Sequence, residues 1–151
     1  MVEQRITKTQ GFVRAEYAFW VGKYMEFFYQ NYEKKKIVGN KCPKCGKVFV
    51  PPRKICGNCS ATIDLDSWVE LGDTGTLINF TTTPYLVAET RIRTKNPYVI
   101  GMVKIDGSDT AVVYEILETE EKNLQKGMKV QAVWKDKASG NPADIKGFKP
   151  I

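Results

Sequence analysis

Apolar side chains at Tyr17, Val21, Tyr24 and Phe28 recur at the i, i+4, i+7, i+11 spacing of one helical face, and Ala18, Met25, Tyr29 and Tyr32 widen it. The pattern predicts a helix from Arg14 to Glu33, within an N-terminal helical segment spanning residues 14–36. Phe19, Trp20 and Phe27 fall on the opposite side, so this helix is apolar almost all round and needs two partners. One is the body of the chain; the other is another subunit or an acyl chain, because such a patch is rarely left in water, the alternative being a helix buried wholly in the chain's own core. Residues 1–13 show no period and read as a flexible arm.

From Ser67 onward the pattern changes to short alternating runs: Trp68–Leu71, Thr76–Thr83, Tyr98–Ile105, Thr110–Leu117 and Lys129–Trp134. Turn residues separate them, notably Gly72-Asp73-Thr74-Gly75, Asp106-Gly107-Ser108-Asp109 and Lys126-Gly127. Five such strands, the third and fourth joined by a tight hairpin, predict a five-stranded OB-fold barrel over residues 67–151. A helical turn near Glu118–Leu124 bridges the last two. The fold class expected is therefore mainly β, with an aromatic α-helix at the N-terminus.

Between helix and barrel, over residues 37–66, the pattern is dominated by cysteine. All four cysteines of the chain lie here, as Cys42-Pro43-Lys44-Cys45 and Cys56-Gly57-Asn58-Cys59, with ten residues between the pairs. Each Cys-x-x-Cys turn wraps one side of a cation, and four thiolates at about 2.3 Å make a closed tetrahedral shell. Structural Zn²⁺ is the favoured occupant. A rubredoxin-type iron and a pair of disulfides remain alternatives. Val48-Phe49-Val50 forms a short strand between the knuckles, and Pro51-Pro52 stiffens the chain after it.

Charge and composition narrow the function classes. The net charge of +6 is concentrated between Lys34 and Ser60, which hold eight basic residues and no acidic one. A four-thiolate zinc site carries about −2 and absorbs part of this excess; the remainder points to an anionic partner such as a phosphate-bearing cofactor. The chain contains no histidine, which removes the usual general base and the Ser-His and Cys-His nucleophile systems. No acid–base pair stands out, and Asp73, Tyr85, Arg91 and Arg93 are the only polar residues to inspect; the protein is expected not to be an enzyme. Its longest apolar stretch is interrupted by Gly22, Lys23, Glu26, Gln30 and Asn31, so no membrane span is expected, and thiolate ligands place the protein in the cytoplasm.

An ordered set of short motifs then carries a family resemblance over roughly residues 15–135. After the aromatic helix come Cys42-Pro43-Lys44-Cys45-Gly46, Val50-Pro51-Pro52-Arg53, Cys56-Gly57-Asn58-Cys59, Gly75-Thr76-Leu77, Asn96-Pro97-Tyr98-Val99 and Gly127-Met128-Lys129-Val130. Together they resemble the acyl-CoA-associated OB-fold proteins with a rubredoxin-like zinc ribbon, the domain of unknown function thirty-five family. Two positions depart from its pattern: Gly57 replaces a usual proline, and Thr74 stands where a basic residue is common. The resemblance implies a non-catalytic partner of thiolase-like enzymes, of the archaeal type that bridges an acetoacetyl-CoA thiolase and a hydroxymethylglutaryl-CoA synthase in the mevalonate pathway of lipid metabolism. It also implies acyl-CoA as a bound ligand.

Carried onto this chain, that reading assigns Cys42, Cys45, Cys56 and Cys59 to the metal. Lys44, Lys47, Arg53 and Lys54 are assigned to CoA phosphates, and Trp20, Tyr24, Phe27 and Phe28 to contact with a partner or acyl chain. The rival is a single-stranded nucleic-acid-binding protein, since OB-folds hold single strands by stacking bases on aromatics over a cationic groove. The barrel aromatics Phe80, Tyr85, Tyr98, Tyr114 and Trp134 are scattered rather than interleaved with basic residues, so nucleic acid is the weaker expectation.

Overall fold

The computed structural model describes residues 11, 15–85 and 93–151. The expected arm at 1–13 thus lies, apart from Gly11, outside the described residues, as does Arg91. Helix α1 runs from Lys23 to Tyr32, followed by strands β1 (Ile37–Lys41), β2 (Val48–Phe49), β3 (Trp68–Leu71), β4 (Thr74–Tyr85), β5 (Arg93–Ile105), β6 (Ala111–Glu115), β7 (Lys129–Trp134) and β8 (Ile145–Pro150). Short 3₁₀ turns occupy Glu121–Asn123 and Pro142–Asp144.

Two sheets result. The smaller has the order β2-β1-β3; the larger has the order β6-β5-β4-β7-β8, all antiparallel. A parallel bridge between Ile116 and Phe148, with the Leu117 N–H donating to the Phe148 carbonyl at 2.7 Å, joins the two outer strands and closes the barrel. Gly101 on β5 is required by this closure, since a Cβ there would lie 2.6 Å from Ile116 and 2.7 Å from Leu77.

The five barrel strands are not the five expected. Trp68–Leu71 is a strand, but it pairs with β1 in the ribbon sheet, Ile37 opposite Leu71 and Asn40 opposite Trp68. Its place in the barrel is taken by β8, where Lys146, Gly147, Lys149 and Pro150 dilute the alternation that would announce a strand. Strand alternation reports a half-buried ribbon without saying which neighbour buries it.

Helix α1 is also shorter than the periodicity predicts. Gly22, at φ +83°, turns the chain out of the helical region, and no side chain caps the helix after it. Residues 15–22 are irregular and their side chains mostly exposed, because among the described residues the aromatic repeat there meets little to pack on. From Lys23 the helix wedges between ribbon and barrel. Tyr24 donates to the Ile63 carbonyl at 2.7 Å on the ribbon side. Phe28 and Tyr32 enter the barrel core, Tyr32 meeting Trp134 edge-on at 5.2 Å and sharing a hydrogen bond with the Tyr114 hydroxyl at 3.2 Å. Burial disfavours both phenolates and raises the pKa of each hydroxyl above the ordinary tyrosine value, so both stay protonated.

Ribbon and barrel are clasped by the β5–β6 turn. Asp109 and Val48 exchange two hydrogen bonds, Val48 N–H to the Asp109 carboxylate at 2.9 Å and Asp109 N–H to the Val48 carbonyl at 2.8 Å. The Thr110 hydroxyl accepts from the Val50 N–H and donates to the Val50 carbonyl, both at 2.8 Å. The outer edge of β2 is thereby satisfied by the turn's side chains and the Asp109 N–H in place of a fourth strand.

One buried carboxylate braces the far end of the barrel. Asp144 is fully buried and accepts from the N–H groups of Ser139 and Asn141 at 2.9 and 2.8 Å, completing a capping box with Asn141. Burial alone would raise its pKa, but the backbone N–H groups of Asn141, Ser139 and Gly140 outweigh it and hold the carboxyl's pKa below its ordinary value. A carboxyl lowered in the folded state stabilises the fold above its unfolded value and loses that contribution as pH falls through the folded one. Asp144→Asn is therefore expected to lower the melting temperature at pH 7 by roughly 5 °C. The gap from the parent should narrow below about pH 4, which a series of thermal melts between neutral pH and pH 3 would check.

Candidate metal centre and docking surfaces

The two knuckles are built alike. In the first, Gly46 N–H donates to the Cys42 carbonyl at 2.9 Å and Cys42 N–H to the Lys47 carbonyl at 2.8 Å; in the second, Ser60 N–H reaches the Cys56 carbonyl at 3.0 Å and Cys56 N–H the Ala61 carbonyl at 2.9 Å. Both turns need a left-handed residue after the second cysteine, supplied by Gly46 at φ +74° and, with more strain, by Ser60 at φ +57°. The result brings all four Sγ atoms within 4.8 Å of one another. Cys42 lies 3.6 Å from Cys59 and Cys45 lies 3.5 Å from Cys56. A tetrahedron with metal–sulfur bonds of 2.3 Å has edges of about 3.8 Å, so the four sulfurs fit a metal shell with little adjustment.

The electrostatics favour thiolate. Burial raises the Cys56 thiol, but N–H donation from Asn58 and Cys59 and its thiol neighbours bring it down to about 6. Cys42 is likewise lowered, burial being outweighed by the N–H groups of Cys45 and Lys44. Cys59 receives the N–H of Ala61, yet burial and the bonds to the other three sulfurs push it up to about 12. Protons thus gather on one sulfur while others ionise, as expected where four thiols share one small volume. Beneath them, Phe49 and Ile63 form a small core of their own with Cys42 and Cys56. Asn40, fully buried on β1, donates to the Arg53 carbonyl at 2.6 Å and accepts from its N–H at 3.0 Å, fixing the path from the Pro51-Pro52 turn into the second knuckle.

The four basic residues assigned to CoA are all exposed on the ribbon, and none forms an ion pair among the described residues. Arg53 lies 5.3 Å over the Phe49 ring, which partly commits its guanidinium. The aromatic residues assigned to a partner separate. Trp20 is 71% exposed and Phe27 lies at the surface, Tyr24 is half-buried against the ribbon, and Phe28, only 3% exposed, belongs to the barrel core. Phe28 is therefore corrected from surface contact to core, since its position on the shortened helix faces inward. Phe27 stacks on Trp68 at 4.1 Å, and both line a groove of about 380 Å³ with Leu65, Lys23, Glu26 and Gln30. Trp68 and Leu65 were not singled out in the sequence; only tertiary structure brings them beside the helix.

Residues 34–66 match the family model described as the rubredoxin-like zinc ribbon domain of ChsH2, and residues 68–135 match the C-terminal OB-fold domain of the same protein. The chain belongs to the DUF35 family. Among curated relatives, a DUF35 domain-containing scaffold protein from Methanocaldococcus jannaschii is 26% identical over 123 residues, which cover 79% of this chain and 84% of that one. Two solved structures share the fold. A DUF35-family protein of unknown function from Sulfolobus solfataricus aligns at a TM-score of 0.65 and 23% identity, covering 86% of this chain and 87% of its own. A chain of the Ltp2-ChsH2(DUF35) aldolase aligns at 0.61 and 20%, covering 86% and 96%.

A cavity of about 800 Å³ opens at one end of the barrel, between Phe80, Thr82 and Val99 and the rim residues Thr119, Glu120, Glu121 and Lys122. None of these residues belongs to the knuckles, and two of the charged ones, Glu120 and Lys122, are paired to each other at 2.7 Å. Asp73 accepts from the Gln131 amide at 3.2 Å and is engaged within the sheet. Among the described residues no helix is long and apolar enough to cross a membrane.

Proposed function

We propose that this protein is a non-catalytic accessory subunit of acyl-CoA metabolism that docks onto thiolase-like enzymes, bridging an acetoacetyl-CoA thiolase and a hydroxymethylglutaryl-CoA synthase. The observation that carries the proposal is the aromatic segment before α1: Tyr17, Phe19 and Trp20 stand in solvent, and Trp20 reaches Glu26 at 3.4 Å on the rim of the groove lined by the stacked Phe27–Trp68 pair. Aromatic anchors next to a shallow groove are the composition of an interface hot spot. The naming of the M. jannaschii relative as a scaffold protein supports the same reading. In this reading Zn²⁺ in the four-cysteine shell is structural, and Lys44, Lys47 and Lys54, which form no ion pair among the described residues, attract with Arg53 the phosphates of acyl-CoA held mainly by the partner enzyme. Nucleic-acid binding is the weaker alternative, because Phe80, Tyr114 and Trp134 pack against the core and leave few stacking surfaces on the barrel.

Co-purification with the thiolase and the synthase of the same organism tests this. Trp20→Glu is expected to abolish capture of the thiolase while moving the melting temperature by less than about 3 °C. A Lys44→Glu, Lys47→Glu pair is expected to leave capture intact and reduce acyl-CoA retention in the assembled complex. Unchanged capture with Trp20→Glu would overturn the docking surface. Binding of single-stranded nucleic acid far tighter than the non-specific range of about 10⁻⁴ to 10⁻⁶ M would overturn the accessory role itself.

A further inference from the structure

The outer face of β4, β5 and β6 carries a second apolar patch, unrelated to the aromatic helix. Along β5 burial alternates, with Gly101, Val103 and Ile105 inward and Ile100, Met102 and Lys104 outward. Cross-strand register places Met102 between Asn79 and Val113, Ile100 between Thr81 and Glu115, and Lys104 between Thr76 and Ala111. The irregularity between Leu77 and Asn79 adds Ile78 to the same region. Ile78, Met102 and Val113 are 42%, 44% and 62% exposed. The face thus has an apolar centre with a polar margin, the anatomy of a recognition surface.

The charges on this face are arranged to suit a copy of itself. Two such sheets can stack face to face about a two-fold axis through Met102 in two ways. An axis along the strands sets Lys104 against Lys104, a like-charge contact. An axis across the strands reverses the partner, so the Lys104 row meets the Ile100 row. Lys104 then lies over Ile100 beside Glu115, and the small Ala111 faces Glu115, leaving room for the carboxylate. Met102 and Val113 meet their own counterparts at the centre. Only this arrangement pairs opposite charges, and the symmetry repeats the pair twice.

We infer that this face is a homodimer interface, in which a second copy of the chain stacks its β4–β6 sheet antiparallel on the first. The contact involves about ten residues a side, fewer than the roughly twenty to thirty of a standard interface. It is therefore expected to form only at high protein concentration. The inference is independent of which enzyme the aromatic segment engages.

Sedimentation velocity of the full chain from about 10 μM to about 1 mM tests it. The expected result is a monomer–dimer equilibrium lost with Val113→Asp, an exposed position where folding is not at risk. Lys104→Glu and Glu115→Lys are each expected to weaken the dimer about tenfold, and the double swap to restore it, because only reciprocal pairing across the two-fold survives exchange of both charges. A chain monomeric at the highest concentration would overturn the inference. So would a dimer indifferent to Val113→Asp, or charge-swap effects that simply add.

Discussion

Replacing Cys42 or Cys56 with serine is expected to reduce bound zinc from about one per chain to near zero and to free the knuckle amides for rapid hydrogen exchange. Both sulfurs are buried among Phe49, Ile63 and the other cysteines, and the four together form a closed shell with no open position. Where the metal shell is the core of so small a unit, its binding free energy is largely folding free energy, on the order of 10 kcal/mol. The N–H groups of Gly46 and Ser60, which close the two turns, are the ones to follow. Strands β4 and β5 should keep their protection, because their hydrogen bonds lie within the barrel. Exchange mass spectrometry with metal analysis reads both effects. Red protein with an iron–thiolate absorption band, after growth in metal-balanced medium, would overturn the assignment of zinc; unchanged knuckle exchange in the metal-free variant would show that the metal does not hold the ribbon.

Phe28→Ala and Trp20→Ala are expected to differ in stability by several kcal/mol although both residues belong to the same aromatic run. Phe28 packs on Tyr32 with ring centroids 4.9 Å apart and is buried in the barrel core. Deleting such a ring costs about 3–5 kcal/mol, a large part of the 5–15 kcal/mol that holds a domain together. Its melting temperature should fall by roughly 10 °C or more. Trp20 is 71% exposed and among the described residues makes a long hydrogen bond to Glu26 at 3.4 Å, and its loss should fall within about 0.5 kcal/mol. Thermal or urea melts of the two variants decide the matter. Equal losses would mean that residues 15–22 pack on the body in solution, and the case for them as a docking surface would disappear.

The contrast between these two aromatics shows what could be read from the chain before its structure. Metal ligands were legible because Cys-x-x-Cys spacing is a local property: each turn closes on itself through bonds between residues four and five apart. The β5–β6 hairpin was legible for the same reason, its Asp106-Gly107-Ser108-Asp109 turn carrying the required positive φ at Gly107. Helical periodicity gave the right face for Phe28 and Tyr32 but overran its start, since a repeat of aromatics does not record whether a surface exists for all of them. Strand partners not joined by a tight turn were beyond reach. Whether Trp68–Leu71 joins ribbon or barrel depends on where β1 lies, and β1 itself, Ile37-Val38-Gly39-Asn40-Lys41, alternates too little to be noticed. Trp68 escaped attention as a docking residue on the same account, because its stacking on Phe27 is a contact between distant parts of the chain.

That third strand of the small sheet has a consequence for any attempt to take the molecule apart. The two matched family models meet at residues 66 and 68, which invites a cut there, yet β1 is hydrogen-bonded to β3 on the far side of the cut. A fragment ending at residue 66 would keep all four cysteines and lose the strand that covers one edge of β1, leaving a bare template for intermolecular pairing. Grafting the ribbon onto another protein, or exchanging it between relatives, therefore requires carrying Trp68–Leu71 along as well: the portable unit is longer than the motif that identifies it.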